Sequence, residues 1–439
     1  WSAGPDNFTF AFINDGAKSL FIRQTDEAGN LGPVNQFSFT LDTVAPVIPT
    51  LALNTDTGVS ALDKITRDGK INVTGLESTA GFEYSLNSGS SWILGSGNSF
   101  TLTGDGAKLV RVRQIDLAGN IGAATADLQF TLDTASTTLV VSSSSSKLKA
   151  GETATITFTF SETAFNFDYS DISVEGGTLS NLVQNAANRK IVTATLTPLV
   201  NSTMAGFITV GNNYSDAAGN SGTSAVLVPV IAIDTAVPTV GISSGASALK
   251  IGETTVITFS LSEPTSDFTL ADITVMGGTL SNFSGSNNSY TATFTPTANS
   301  TTTATFDVAT GAFTDAAGNN NSPATQFTIA VDTVAPTITI ASSTVALKSG
   351  ETATLTFTLS ESSSNFAVGD ISVFGGVLSN FSGSGINYTA TFTPTANSTT
   401  TATFNIAGGA FTDTAGNNNS PATQFTIAVD TVAPTITIA

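Results

Sequence analysis

Two acidic tags recur in fixed phase along this chain, and that recurrence limits its fold more than any other feature. The tag Asp-Thr-x-x-Pro begins at Asp42, Asp234, Asp332 and Asp430. A variant without the proline, Asp133-Thr134-Ala135-Ser136-Thr137, fills the remaining gap. The starts at 42, 133, 234, 332 and 430 are separated by 91, 101, 98 and 98 residues. A second tag, Asp-x-Ala-Gly-Asn, begins at Asp26, Asp116, Asp216, Asp315 and Asp413, always 16 to 18 residues ahead of the first. Self-similarity at a fixed period is the signature of stacked structural units. At this length each unit is the size of one small domain.

Two kinds of unit are present. The first carries Asp-Gly-Ala-Lys, at Asp15–Lys18 and Asp105–Lys108, followed by Arg-Gln-x-Asp-x-Ala-Gly-Asn. It covers a partial copy over 1–42 and a complete one over 43–133. The second kind covers 134–234, 235–332 and 333–430. Its marks are Gly-Glu-Thr (Glu152, Glu253, Glu351), Ser-Glu (Glu162, Glu263, Glu361) and Asp-Ile-Ser/Thr-Val (Asp171, Asp272, Asp370). Residues 431–439 look like the start of one more repeat.

Within each unit, apolar and polar residues alternate, as in 153–161, 290–295 and 324–331. Alternation with period two places one face inward and one outward, which is a strand pattern. Gly, Asn, Asp and Ser clusters interrupt it at intervals suited to turns. About seven short strands in roughly 100 residues match an immunoglobulin-like β-sandwich. The expected fold is therefore all-β: a tandem array of such sandwiches arranged as an extended rod. Phe158, Phe259 and Phe357 occupy one repeated core position.

Composition narrows the function. The chain has no Cys, so each sandwich must hold together without disulfides, and no His, so the commonest general base and zinc ligand are missing. Against 33 acidic residues stand 14 basic ones, a net charge of −19. Such a chain repels nucleic acid and anionic membrane surfaces. No apolar run is long enough for a membrane span, and no signal peptide is visible. The chain reads as a monomeric fragment of a longer array.

The acidic tags are the candidate site. On a seven-strand sandwich, the end of the second strand and the last turn share the pole that receives the preceding repeat. Asp133, Glu162, Asp216 and Asn220 are expected to converge there. So are Asp234, Glu263, Asp315 and Asn319, and likewise Asp332, Glu361, Asp413 and Asn417. Asp171, Asp272 and Asp370 are placed close enough to join. In the first kind of repeat, Asp56, Asp63 and Asp105 fall beside Asp133, and Asp26, Asp42, Asp116 and Asp430 complete the candidate ligands. Converging carboxylates repel one another unless a cation offsets the charge. Calcium, which takes 6–8 oxygens in tolerant geometry, suits them better than magnesium. The plainer reading is that Asp, Gly and Asn only form a turn. Glu152, Glu253 and Glu351 lie at the opposite pole and are read as turn caps.

These residues also carry a family resemblance. Leu51–Gly58 (Leu-x-Leu-x-x-Asp-Thr-Gly), Asp63–Thr66, Asp-x-Ala-Gly-Asn and the closing Asp-Thr resemble the bacterial Ig-like repeats of giant type-I-secreted (RTX-like) adhesins. The second kind, with Gly-Glu-Thr-Ala-Thr, Phe-Ser-Glu, Asp-Ile-Ser-Val-x-Gly-Gly and Tyr-Thr-Ala-Thr-Phe-Thr-Pro, resembles another such class. The resemblance implies an extender region on the bacterial cell surface, stiffened by calcium between neighbouring repeats. It implies ligand roles for Asp56, Asp63, Asp116 and Asp133, and for Glu162, Asp216 and their equivalents. Loss of the linker proline after Asp133 implies a junction that is more flexible or differently ligated.

An enzyme is disfavoured, because the acids recur once per unit and no aromatic-walled cleft is evident. The alternative function is a carbohydrate- or surface-binding module, with Trp92 and Tyr84 as a stacking platform. Packing of Trp92 against a strand edge competes with that reading.

Overall fold

A computed structural model describes residues 9–437. The ends of the partial repeats expected at 1–42 and 431–439 lie outside the described residues. The chain divides into two compact units, Trp1–Asp234 and Thr235–Ala439. Among the described residues, helix is limited to three single 3-10 turns, and no helix is long and apolar enough to cross a membrane.

The first unit opens with an antiparallel pair, Gly16–Ile22 against Asn35–Leu41. A sandwich follows. Its larger sheet runs in the order Ile65–Thr66, Leu128–Leu132, Gly106–Ile115, Gly81–Ser85, Ile93–Gly95. Its smaller sheet is Thr50–Leu53, Lys70–Thr74 and Ser99–Thr101. Alternate residues of Gly106–Ile115 turn inward, so Val110 and Val112 are fully buried with Ile71 and Phe82. A second sandwich sets Leu139–Ser143, Ala154–Phe160, Ile191–Pro198 and Gly177–Gln184 against Ile172–Glu175, Phe207–Val210 and Ala225–Val226. One core joins them, from Leu139 to Ile233.

The second unit holds two sandwiches of one pattern. In the first, Val240–Ser244 and Gly278–Pro296 flank Thr255–Thr265. The facing sheet is Ala248–Leu249, Phe327–Val331, Ala304–Val308 and Ile273–Met276. In the second, Ile338–Ser342, Ala353–Ser363 and Gly376–Pro394 face Ala346–Lys348, Phe425–Asp430, Ala402–Ile406 and Ile371–Phe374. The leading segment changes sheets. Val240–Ser244 pairs antiparallel with Thr255–Thr265, whereas Ala248 and Leu249 pair parallel with Ala330 and Val331. This switch leaves the last strand ending beside the Ala-Leu-Lys segment, so the chain exits at one fixed pole.

Aromatic rings join the sheets. Phe294 and Phe306, on opposite sheets, meet edge-on at 4.8 Å, and Phe392 and Phe404 repeat the contact at the same distance. Phe158, Phe259 and Phe357 are each fully buried, as their phase in the repeat predicts.

Candidate metal centres at the repeat junctions

The Asp-x-Ala-Gly-Asn tag forms a self-clasped turn. Its glycine carries positive φ in each copy, +86° at Gly219 and +88° at Gly416, a conformation that costs glycine little. The asparagine then grips the aspartate with two donors. In the third repeat the Asn220 N–H and Nδ2 donate to the two oxygens of Asp216, both at 2.9 Å. Asn417 holds Asp413 in the same way, as do Asn319 and Asp315, Asn120 and Asp116, and Asn30 and Asp26. The turn-forming reading of the tag is thus correct for every copy.

It is not the whole account. In the first unit, carboxylate oxygens of Asp133, Glu162 and Asp216 lie within 4.8 Å of one another. In the second unit, Asp332, Glu361 and Asp413 do the same. Each group draws one residue from the end of a repeat and two from the next. Asp216 and Asp413 are buried; the others are half-buried. No Lys or Arg forms an ion pair with these six carboxylates among the described residues.

The electrostatics follow from this crowding. Burial pushes the Asp133 carboxyl up, and the charges of Asp216 and Asp105 add to the shift. Burial also raises Glu162, reinforced by Asp133 and Asp216 and partly offset by Lys190. Glu361 is raised by burial and then by Asp332 and Asp413. An isolated copy behaves oppositely: the Asn30 side chain holds Asp26 below the usual carboxylate range. Three carboxylates crowded within 4.8 Å, with no ion-paired basic partner among the described residues, are the donor set a hard divalent cation relieves. Such an ion would be held by Asp133, Glu162 and Asp216 in one unit and by Asp332, Glu361 and Asp413 in the other.

Several expected ligands are placed otherwise. Asp171, Asp272 and Asp370 do not join the groups. Each closes a 3-10 turn by accepting from the backbone N–H three residues earlier, at Asp168, Thr269 and Ala367. Their carboxylates are engaged locally before the pole is reached. The asparagines act as straps: Asn220 Nδ2 also donates to the Asp133 carbonyl at 2.9 Å, and Asn417 Nδ2 to that of Asp332 at 3.0 Å. The Asn417 oxygen accepts from the Ile251 N–H, so that amide is spent on protein contacts.

In the second repeat, Asp105 accepts from the Thr134 N–H and hydroxyl. Asp56 accepts from the Lys64 N–H and Asp63 from the Ile65 N–H. Asp42 and Asp430 accept from the N–H two residues on. None of these, nor Asp26 or Asp116, belongs to a three-carboxylate group. The Asp56 Oδ1 atom is buried without a hydrogen-bond partner. Asp234 closes the first unit, while Glu263 and Asp315 lie in the second.

A family model described as a bacterial Ig-like domain matches residues 133–232, 234–331 and 332–429. The chain belongs to the bacterial Ig-like domain family. No curated protein sequence matches it. Among solved structures it is similar to the Escherichia coli adhesin FdeC, at 17% identity over 67% of this chain and 96% of that one, with a TM-score of 0.29. Titin domains I67–I69 match at 10% identity over 68% and 99%, with a TM-score of 0.32. The Yersinia pseudotuberculosis adhesin InvE matches at 16% identity over 44% and 58%, with a TM-score of 0.19.

Other expected residues are accounted for by their contacts. Glu152, Glu253 and Glu351 accept from the N–H groups of Lys149, Lys250 and Lys348, which makes them turn caps. The Arg113 guanidinium covers the Trp92 ring at 4.2 Å, and Tyr84 stacks on Phe100 at 4.2 Å. The two rings expected to form a sugar platform are each already stacked within the repeat. Sequence reasoning missed Thr57, Gly58 and Arg67, which meet the next repeat; Gly58 within Asp-Thr-Gly was the available signal.

Proposed function

We propose that this array is an extender region of a large secreted bacterial surface adhesin, stiffened by calcium at its junctions. The single observation that carries the reading is the gathering of Asp133, Glu162 and Asp216, repeated by Asp332, Glu361 and Asp413, within 4.8 Å across successive repeats. By motif, Asp234, Glu263 and Asp315 form a corresponding set. Calcium bound there supplies the positive charge that lets the carboxylates remain close and ionised. Asp133 and Asp332 belong to the end of one repeat, so holding them fixes that repeat against the next. Asn220 and Asn417 orient the buried aspartate and tether the preceding carbonyl. Without the ion, repulsion works against docking.

In this reading the repeats act as a monomeric, non-enzymatic rod outside the cell, projecting a distal adhesive domain for adhesion or biofilm formation. The export route is that of RTX-like adhesins. Tandem duplication suits a spacer, since length is its function. Small-angle X-ray scattering tests the reading, once in about 5 mM calcium, above the usual range for extracellular modules, and once in excess chelator. A shorter maximum dimension and a broader distance distribution after chelation support it. Superimposable profiles refute the calcium role and leave the acidic tags as turn formers.

A further inference from the structure

The junction after Asp133 is built differently from the junction after Asp332, through residues other than the carboxylates. At the first, the loop carrying Asp-Thr-Gly meets the Ala-Gly-Asn turn of the next repeat backbone to backbone. The Thr57 hydroxyl donates to the Ala218 carbonyl at 2.6 Å, and the Val59 N–H to the Ala217 carbonyl at 3.1 Å. Arg67 Nη1 donates to the Gly219 carbonyl at 2.7 Å. Three successive carbonyls are thereby taken by one loop. Gly58, at φ +96°, makes the approach possible: a Cβ there would run into the Ala217 carbonyl oxygen. A Cβ on Gly219 would lie 2.9 Å from the Gly58 Cα. Two glycines of different repeats face each other with no side chain between them.

The equivalent turn after Asp332 meets Lys250 and Ile251, at the end of the Ala-Leu-Lys segment, in place of such a loop. Lys250 Nζ donates to the Gly416 carbonyl at 3.3 Å, and the Ile251 N–H donates to Asn417 Oδ1 at 2.8 Å. The nearest atom to a Cβ on Gly416 is the tip of that lysine, at 3.2 Å. A flexible ammonium on one carbonyl constrains less than the Thr57 hydroxyl and the Val59 N–H on two, joined by Arg67 on a third, since ordering a long side chain carries its own entropy cost.

We infer that Thr57, Gly58, Val59 and Arg67 form a socket that docks the Ala217–Gly219 turn without a cation, so this junction stays closed when divalent ions are withdrawn while the junction after Asp332 opens. The socket also replaces the linker proline absent after Asp133: stiffness lost from the chain is regained by contact. The contrast between junctions rests on the calcium reading; the socket itself does not.

The absence of cysteine makes a direct test simple. Spin labels are placed in the full chain through Thr101→Cys with Thr159→Cys, spanning the first junction, or Ser260→Cys with Thr358→Cys, spanning the second. Distances are measured by pulsed electron resonance in calcium and in chelator. The expected result is an unchanged narrow distribution for the first pair on chelation and a broadened one for the second. Gly58→Ala then broadens the first pair in chelator, and Arg67→Ala, a change at an exposed side chain, does so without risk to the sandwich. Broadening of the first pair on chelation in the otherwise unaltered chain overturns the socket. If neither pair responds to chelation, the calcium reading fails and the socket is judged by the two variants alone. Broadening by Arg67→Ala upholds it, and no change from either variant overturns it.

Discussion

Asn417 holds the Asp413 carboxylate at 2.9 Å and, with the same amide nitrogen, reaches back to the Asp332 carbonyl at 3.0 Å. One side chain thus couples the turn of one repeat to the last residue of the repeat before it. Asn220 makes the same pair of bonds to Asp216 and Asp133. Loops that only needed a turn would not require the second bond.

Removing that amide is predicted to loosen the junction. Asn417 is 2% exposed, so Asn417→Ala leaves buried partners unsatisfied. The expected cost is about 1–3 kcal/mol in local stability. Hydrogen exchange across residues 411–419 measures it. Asn30→Ala removes the same clasp of an exposed copy and is expected to change protection far less. Equal effects from both would mean that the bond to Asp332 contributes nothing.

Calcium binding is predicted to depend on Glu361 and not on Asp370. Glu361→Gln removes charge from the group that includes Asp332 and Asp413. Affinity in such sites follows the ligand charge count, so about tenfold weakening is expected at that site by titration calorimetry. Asp370→Asn alters only the acceptor for the Ala367 N–H and should leave calcium binding as it is. Loss of calcium affinity in Asp370→Asn would restore it as a ligand.

The pH response has a definite sign. Asp133, Glu162 and Glu361 have carboxyl groups raised above their ordinary values, so the folded junction binds protons more tightly than the unfolded chain. Their contribution favours the junction fully below the ordinary carboxylate range and is lost as pH rises through the raised values. In chelator, acidifying from about pH 7 to pH 5 should therefore tighten the spin-label distribution across the junction after Asp332. With calcium present the same acidification should weaken it, because protons displace the ion. Tightening in both conditions would mean that no cation is bound.

Core truncation separates the sandwich from its junctions. Phe404 is fully buried against Phe392, so Phe404→Ala is expected to cost about 3–5 kcal/mol in its own repeat. Calorimetry should show one unfolding component shifted down while those of the other repeats stay in place. A uniform shift would show that the repeats unfold as one body.

The repeat period, the strands and much of the core were legible in the sequence, because alternation such as that of 153–161 is a local property that any strand must express. Phe158, Phe259 and Phe357 were identified by phase alone. The meeting of Glu162 with Asp216 was also readable, since strand ends and turns of a sandwich share a pole. What only the tertiary structure decided was how each polar atom is used. Asp171 has the composition of a ligand, yet the Asp168 N–H reaches it first. Asn220 has an oxygen to offer, yet its nitrogen meets the Asp133 carbonyl. Gly58 has no side chain, yet it admits the next repeat. A hydrogen bond or a close approach depends on positions to within a few tenths of an ångström, and residues 161 positions apart such as Thr57 and Ala218 acquire that relation only when two sandwiches are docked.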